Sequence, residues 1–207
     1  MTIAAAMLFD GCLLLGADTK ETQEGLVMVT TKLFQVDSLP IAWAGAGELA
    51  VLDGFNRWID AYSWEDRADW VSFRVSATEA LNMLNKAKRQ SMRAAGVRPK
   101  SRDLGRILVA GYINGVPNIL EITNQGESYL HGKRGFAAIG SGENHFRIAK
   151  IAIESFMETF TQKKLTITES IFWFLVAIGA RIDPNSGLPL QKMKVTPQEV
   201  FNAKQEG

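Results

Sequence analysis

The sequence has 207 residues, 46% of them hydrophobic and 22% charged, which is the composition of an ordinary globular protein and a length that fits one domain, 1–207, with a sizeable core. Its 23 basic and 22 acidic side chains leave a formal charge of +1, so no global field draws it to nucleic acid or to an anionic membrane. The single cysteine, Cys12, excludes an intrachain disulfide and, within the apolar run Cys12-Leu13-Leu14-Leu15, reads as a buried small residue.

The first fifteen residues lack a basic region and Asp10 interrupts them, so they form neither a signal peptide nor a membrane span. The longest helical apolar stretch, Ile171 to Ala180, is about ten residues, short of the roughly 20 that a spanning helix needs. A cytoplasmic protein without a membrane partner is the expectation.

Thr2 to Phe9 and Cys12 to Ala17 are strand-like runs on either side of Asp10-Gly11, a two-residue hairpin signal. After a polar stretch, Asp18 to Glu24, short strands are predicted at Leu26 to Val29, Lys32 to Val36 and Ile41 to Ala44. Leu49, Leu52, Phe55, Ile59 and Tyr62 then recur at helical spacing, and the capping pair Ser76 and Glu79 predicts a second helix through about Ala95. The basic cluster from Lys86 to Arg93, continued by Arg98, Lys100 and Arg102, has no interleaved aromatic residues and reads as a solvated face rather than a nucleic-acid surface.

Strands return at Arg106 to Tyr112 and Asn118 to Ile122 around the turn Asn114-Gly115, and again at Glu127 to His131 and Phe136 to Ile139. Helical patterns follow over 143–162 and 168–181, then a turn at Asp183-Pro184-Asn185-Ser186-Gly187, a last strand from Gln191 to Val195, and a tail over about 202–207. Two antiparallel sheets bury their inner faces on each other, and each helical pair needs an outer sheet face. The predicted fold is therefore α+β, a four-layer αββα sandwich.

Taken alone, Asp18 and Lys32 read as surface charges, the segment 183–187 as a turn closing a helix, and Gly140-Ser141-Gly142 as a loop leading into one. Thr2 stands out only because an N-terminal threonine supplies both a hydroxyl nucleophile and, in its α-amine, a base. Together, however, these segments resemble proteasome β subunits. Leu15-Gly16-Ala17-Asp18-Thr19-Lys20-Glu21-Thr22 looks like the segment after their first hairpin, and Thr31-Lys32-Leu33-Phe34 like the one carrying their catalytic lysine. Ala42-Trp43-Ala44-Gly45-Ala46-Gly47 resembles the turn into their first long helix, while Gly140-Ser141-Gly142 and the Asp183 to Gly187 segment match two later motifs, in order.

The resemblance implies an N-terminal nucleophile hydrolase: Thr2 as nucleophile once Met1 is removed, Lys32 adjusting protonation, Asp18 holding Lys32, and Gly45 offering its N–H to an oxyanion. Ser141, Asp183 and Ser186 would surround the Thr2 amine. It also implies a peptide or unfolded-protein substrate, homo-oligomeric rings and an ATPase or cap as partner. A start so close to Thr2 resembles the bacterial two-ring ATP-dependent threonine protease, which carries no propeptide. Lys20 in place of an arginine, Ile3 in place of a second threonine, and a stretch from Asp18 to Lys32 about two residues short depart from the family pattern. An inactive ring subunit and a small-molecule amidase of the same superfamily are the alternatives. His131 and His145 have no ligand cluster around them, so neither metal nor cofactor is expected.

Overall fold

The computed structural model describes residues 3–9, 11–23, 26–29, 31–37, 39–64, 69–100, 104–132, 135–161, 168–183, 186–198 and 200–202. The predicted opening hairpin is formed by β1 (Ile3–Phe9) and β2 (Cys12–Asp18), paired from Ala4 opposite Ala17 to Phe9 opposite Cys12. Of its turn, Asp10 lies outside the described residues, and Gly11 takes the left-handed φ of 76° that a tight hairpin requires.

Strand β10 (Phe136–Gly140) pairs with the free side of β1, and β11 (Leu190–Val195) with that of β2, followed by β12 (Val200–Asn202). The second five-stranded sheet runs β5 (Leu33–Gln35), β6 (Ile41–Ala46), β7 (Arg106–Ile113), β8 (Val116–Ile122) and β9 (Ser128–Leu130). A separate hairpin joins β3 (Lys20–Gln23) to β4 (Leu26–Val29), and every one of these strand pairs is antiparallel.

Alternation along each strand sorts its side chains into two layers. From β1, Ala4 and Ala6 face the second sheet, joining Leu13, Leu15, Ala42, Ala44, Leu108 and Ala110 in the middle layer. Ile3, Ala5 and Met7 face the other way, onto Phe146 of α3 (Glu143–Thr161) and Phe172, Leu175 and Val176 of α4 (Glu169–Ile182). On the far side Trp43, Val109 and Ile122 meet Phe55 and Ile59 of α1 (Leu49–Asp60) and Phe73 and Leu81 of α2 (Trp70–Ala94). The order is helix, sheet, sheet, helix, the predicted αββα sandwich.

Three elements differ from the sequence reading. Residues 20–23 form a strand paired with β4, although Lys20-Glu21-Thr22-Gln23 has no apolar alternation. Helix α2 begins at Trp70, six residues before the Ser76–Glu79 pair: the Asp69 side chain accepts the Ser72 N–H at 2.7 Å, which holds its carboxyl below the ordinary value, and Trp70 and Phe73 are buried in the first turn. Residues 200–202 add a strand after the predicted last one; of the tail predicted over about 202–207, residues 203–207 lie outside the described residues.

One ionic cluster ties the second sheet to the start of α3. Arg106, at the start of β7, lies 3.3 Å from Glu121 of β8 and 2.9 Å from Glu143 of α3, and His131 Nε2 is 3.1 Å from the other Glu121 oxygen. Burial would raise the Glu121 carboxyl, but the His131 hydrogen bond and the Arg106, His131 and Arg147 charges outweigh it and hold the group below its ordinary value of 4.5. A depressed carboxylate contributes stability that is present above the unfolded value and lost as pH falls through the folded one. Glu121→Gln should therefore destabilise the protein by about 1–2 kcal/mol in urea unfolding near neutrality, with the gap closing below about pH 4.5. Phe55→Ala, which empties a fully buried site packed on Trp43, should lower stability by about 3–5 kcal/mol in the same assay.

Candidate active site

The antiparallel registers bring the starts of β1, β5 and β11 and the ends of β2, β6 and β10 to one end of the sandwich. Ile3 is opposite Gly140, Asp18 opposite Leu190, and Leu33 opposite Ala44. Five of the seven residues singled out from the sequence gather here through hydrogen bonds.

Asp18 is fully buried, a placement a carboxylate keeps only with donors around it. Its Oδ1 accepts the Ile3 N–H at 2.8 Å, and its Oδ2 accepts Lys32 Nζ at 3.1 Å and the Gly187 N–H at 3.3 Å. Lys32 Nζ also donates to the Lys20 carbonyl. The hairpin β3–β4 thus closes the short stretch between Asp18 and Lys32 while leaving the two side chains in contact.

A second cluster adjoins the first. Asp183 follows α4, and its Oδ2 accepts both Ser141 Oγ, from the turn after β10, and Ser186 Oγ, the latter at 2.6 Å. The Ser186 N–H donates to the Asp183 carbonyl at 3.1 Å, closing the turn; Pro184 and Asn185 within it lie outside the described residues. Because Gly187 follows Ser186 and binds Asp18, the two carboxylate clusters are joined through one turn.

Gly45 lies in β6 directly after Ala44, and Ala44 pairs with Leu33, the residue that follows Lys32. A Cβ at Gly45 would come within 2.5 Å of Leu52 Cδ2 in α1, which leaves the backbone there closely covered. Thr2 lies outside the described residues, as does Met1. The peptide nitrogen to which Thr2 is bonded, that of Ile3, is the one held by Asp18.

Residues that the sequence did not mark complete the arrangement. Gln191 Oε1 accepts from the Lys32 N–H at 2.6 Å and the Leu33 N–H at 3.1 Å, fastening β5 of one sheet to β11 of the other. Thr19 Oγ1 donates to the Pro189 carbonyl at 2.9 Å, anchoring the segment before β11. Gly179 of α4 lets that helix approach both Ile3 and Gly142: a Cβ on it would lie 2.3 Å from Ile3 Cδ1. A glycine inside an apolar helical run was the one available signal for this contact.

The four-layer architecture is that of the N-terminal nucleophile hydrolases. Among solved structures, the chain is similar to eukaryotic HslV from Trypanosoma brucei, at 18% identity over 97% of this chain and 99% of that one, with a TM-score of 0.58. No protein-family model and no curated protein sequence matches it. At that identity the likeness shows the fold, and the placement of Asp18, Lys32, Ser141, Asp183 and Ser186 stands on the contacts above.

Removing the Asp18 carboxylate leaves the Lys32 ammonium, itself only 12% exposed, without its counter-charge. Asp18→Ala should lower stability by about 3–5 kcal/mol in urea unfolding. Adding Lys32→Met should recover part of that loss, a coupling that a double-mutant cycle measures.

Proposed function

We propose that this chain is a threonine-type endopeptidase subunit whose nucleophile is Thr2 when Thr2 is the N-terminal residue. The observation that carries the proposal is the Asp18–Lys32 ion pair fastened to the amide of Ile3, one residue from that threonine, with the Ser141–Asp183–Ser186 cluster adjoining it. The fold shared with HslV agrees with the sequence resemblance to proteasome β subunits.

In the reaction, Thr2 Oγ1 bonds to the carbonyl carbon of a substrate peptide while its proton passes through a water to the Thr2 α-amine. The carbonyl oxygen becomes an oxyanion, which accepts the Gly45 N–H; preorganised donors of this kind contribute roughly 10²–10³ in rate. The tetrahedral adduct collapses, the C–N bond breaks, and the ammonium returns a proton to the leaving amine. Water then hydrolyses the threonyl ester by the reverse sequence of proton transfers. Lys32 lowers the energy of charge developing near Oγ1, Asp18 positions Lys32, and Ser141, Asp183 and Ser186 orient the α-amine.

The substrate class proposed is unfolded protein, reached inside rings of this subunit with an ATPase or cap as the feeding partner. Apolar residues exposed on the outer helices support subunit contacts: Ile148 and Ile151 on α3, and Phe174 and Ile182 on α4, are each more than half exposed.

Intact-mass measurement with a threonine-directed covalent peptide inhibitor tests the nucleophile. A chain lacking Met1 should gain one adduct, Thr2→Ala should gain none, and Thr2→Ser should keep it. Lys32→Ala should lower peptide turnover by about 10²–10⁴. A chain that retains Met1, or that lacks Met1 and takes no adduct, would replace the enzyme with an inactive ring subunit, and turnover of single amides without unfolded protein would replace it with an amidase.

A further inference from the structure

The basic stretch 86–102 carries seven cationic side chains and no acidic one, in a chain whose total charge is +1. The structure folds part of it around a cavity of about 660 Å³ at the C-terminal end of α2. Arg89 and Arg93, one helical turn apart, line it together with Arg98 and Lys100. Val97, Pro99 and Leu104 add apolar surface, and no acidic side chain lines the cavity among the described residues. Its volume lies within the roughly 300–1,000 Å³ of small-molecule sites.

The walls are built from three elements that hydrogen bonds hold together. Asn85 of α2, 1% exposed, donates to the Gly105 carbonyl at 3.0 Å and accepts the Gly105 N–H at 2.8 Å, so the segment at Leu104 is fixed to the helix. Arg89 Nη2 donates to the Asn124 carbonyl at 2.9 Å, fixing the turn between β8 and β9. The Val97 N–H donates to the Met92 carbonyl at 2.8 Å, and Gly96, with φ 72°, turns the chain back over the helix end.

Charge and shape select the ligand. Three arginines, Arg89, Arg93 and Arg98, converge on one concavity, and the C-terminal dipole of α2 offsets them by only about half an elementary charge. A single carboxylate would leave most of that charge uncompensated, whereas a compact anion with several charges would not. Arginine forks match phosphate oxygens in pairs. Single-stranded nucleic acid fits poorly, because no aromatic side chain lines the cavity to stack a base. We propose that this cavity is a binding site for an oligophosphate, either inorganic or the phosphate tail of an organic molecule whose remainder lies on Val97, Pro99 and Leu104.

Calorimetric titration of the full chain with inorganic tripolyphosphate, ATP, sulfate and a tetraglutamate peptide tests the site. Tripolyphosphate should bind with 1:1 stoichiometry, at least tenfold more tightly than sulfate, and at least tenfold more weakly to Arg93→Ala/Arg98→Ala. Both arginines are exposed, so this variant should melt with the parent; Arg98→Glu alone provides a second comparison. ATP tighter than tripolyphosphate would assign an organic ligand, and equal affinities an inorganic one. Absence of tripolyphosphate binding, or binding that both variants leave unchanged, would overturn the proposal. Tetraglutamate binding as tightly as tripolyphosphate would also overturn it, in favour of an acidic polypeptide.

Discussion

The buried carboxylate of Asp18 is the constraint on which this end of the molecule depends. Desolvating an ionised carboxylate carries a penalty of several kcal/mol, so the group persists there only with donors close by. Those donors come from the first residue of β1, from Lys32 before β5, and from Gly187 before β11. Three segments, the furthest of them 169 positions along the chain from Asp18, are thereby set against one side chain. Loss of any of them leaves a buried charge less well compensated.

Such convergence requires the two sheets to lie close together, and the middle layer explains how they do. Ala4, Ala6, Ala17, Ala42, Ala44, Ala110 and Ala137 interleave there with larger side chains such as Leu13, Leu15, Leu108 and Ile139, so small residues of one strand leave room for large ones of another. Phenylalanine and tryptophan rings sit between sheet and helices, with Phe34 stacked on Trp43 at 4.5 Å on one side and Phe146 near Phe172 at 6.3 Å on the other. Gln191 of one sheet can then bind two amides of the other directly. Arg106 of the second sheet also joins Glu121 of that sheet to Glu143 of α3, so an ionic contact ties the sheet to a helix of the opposite outer layer.

The two charged regions differ in how their charge is met. Around Asp18 and Asp183 the carboxylates are matched, donor by donor, within a closely packed seam. At the end of α2 the cations face an open cavity with no lining acid among the described residues. Matched charge positions groups for chemistry, whereas concentrated charge of one sign attracts a ligand of the other.

Local pattern in the sequence determined the opening hairpin at Gly11, the hairpin at Asn114-Gly115, where φ is 50° and 72°, and the αββα layering, because alternation and helical spacing act between near neighbours. It left β3 hidden, since Lys20-Glu21-Thr22-Gln23 carries no apolar alternation, and it started α2 at Ser76 because a capping pair inside a helix looks like one at its end. The segments bearing Asp18, Lys32, Ser141, Asp183 and Ser186 were legible through their resemblance to a family. Only the tertiary structure decided that their side chains meet, and that Gln191, Thr19 and Gly179 hold them there. Each of those contacts joins residues far apart in the chain, and the sequence nearby carries no trace of a partner that arrives from another sheet or helix.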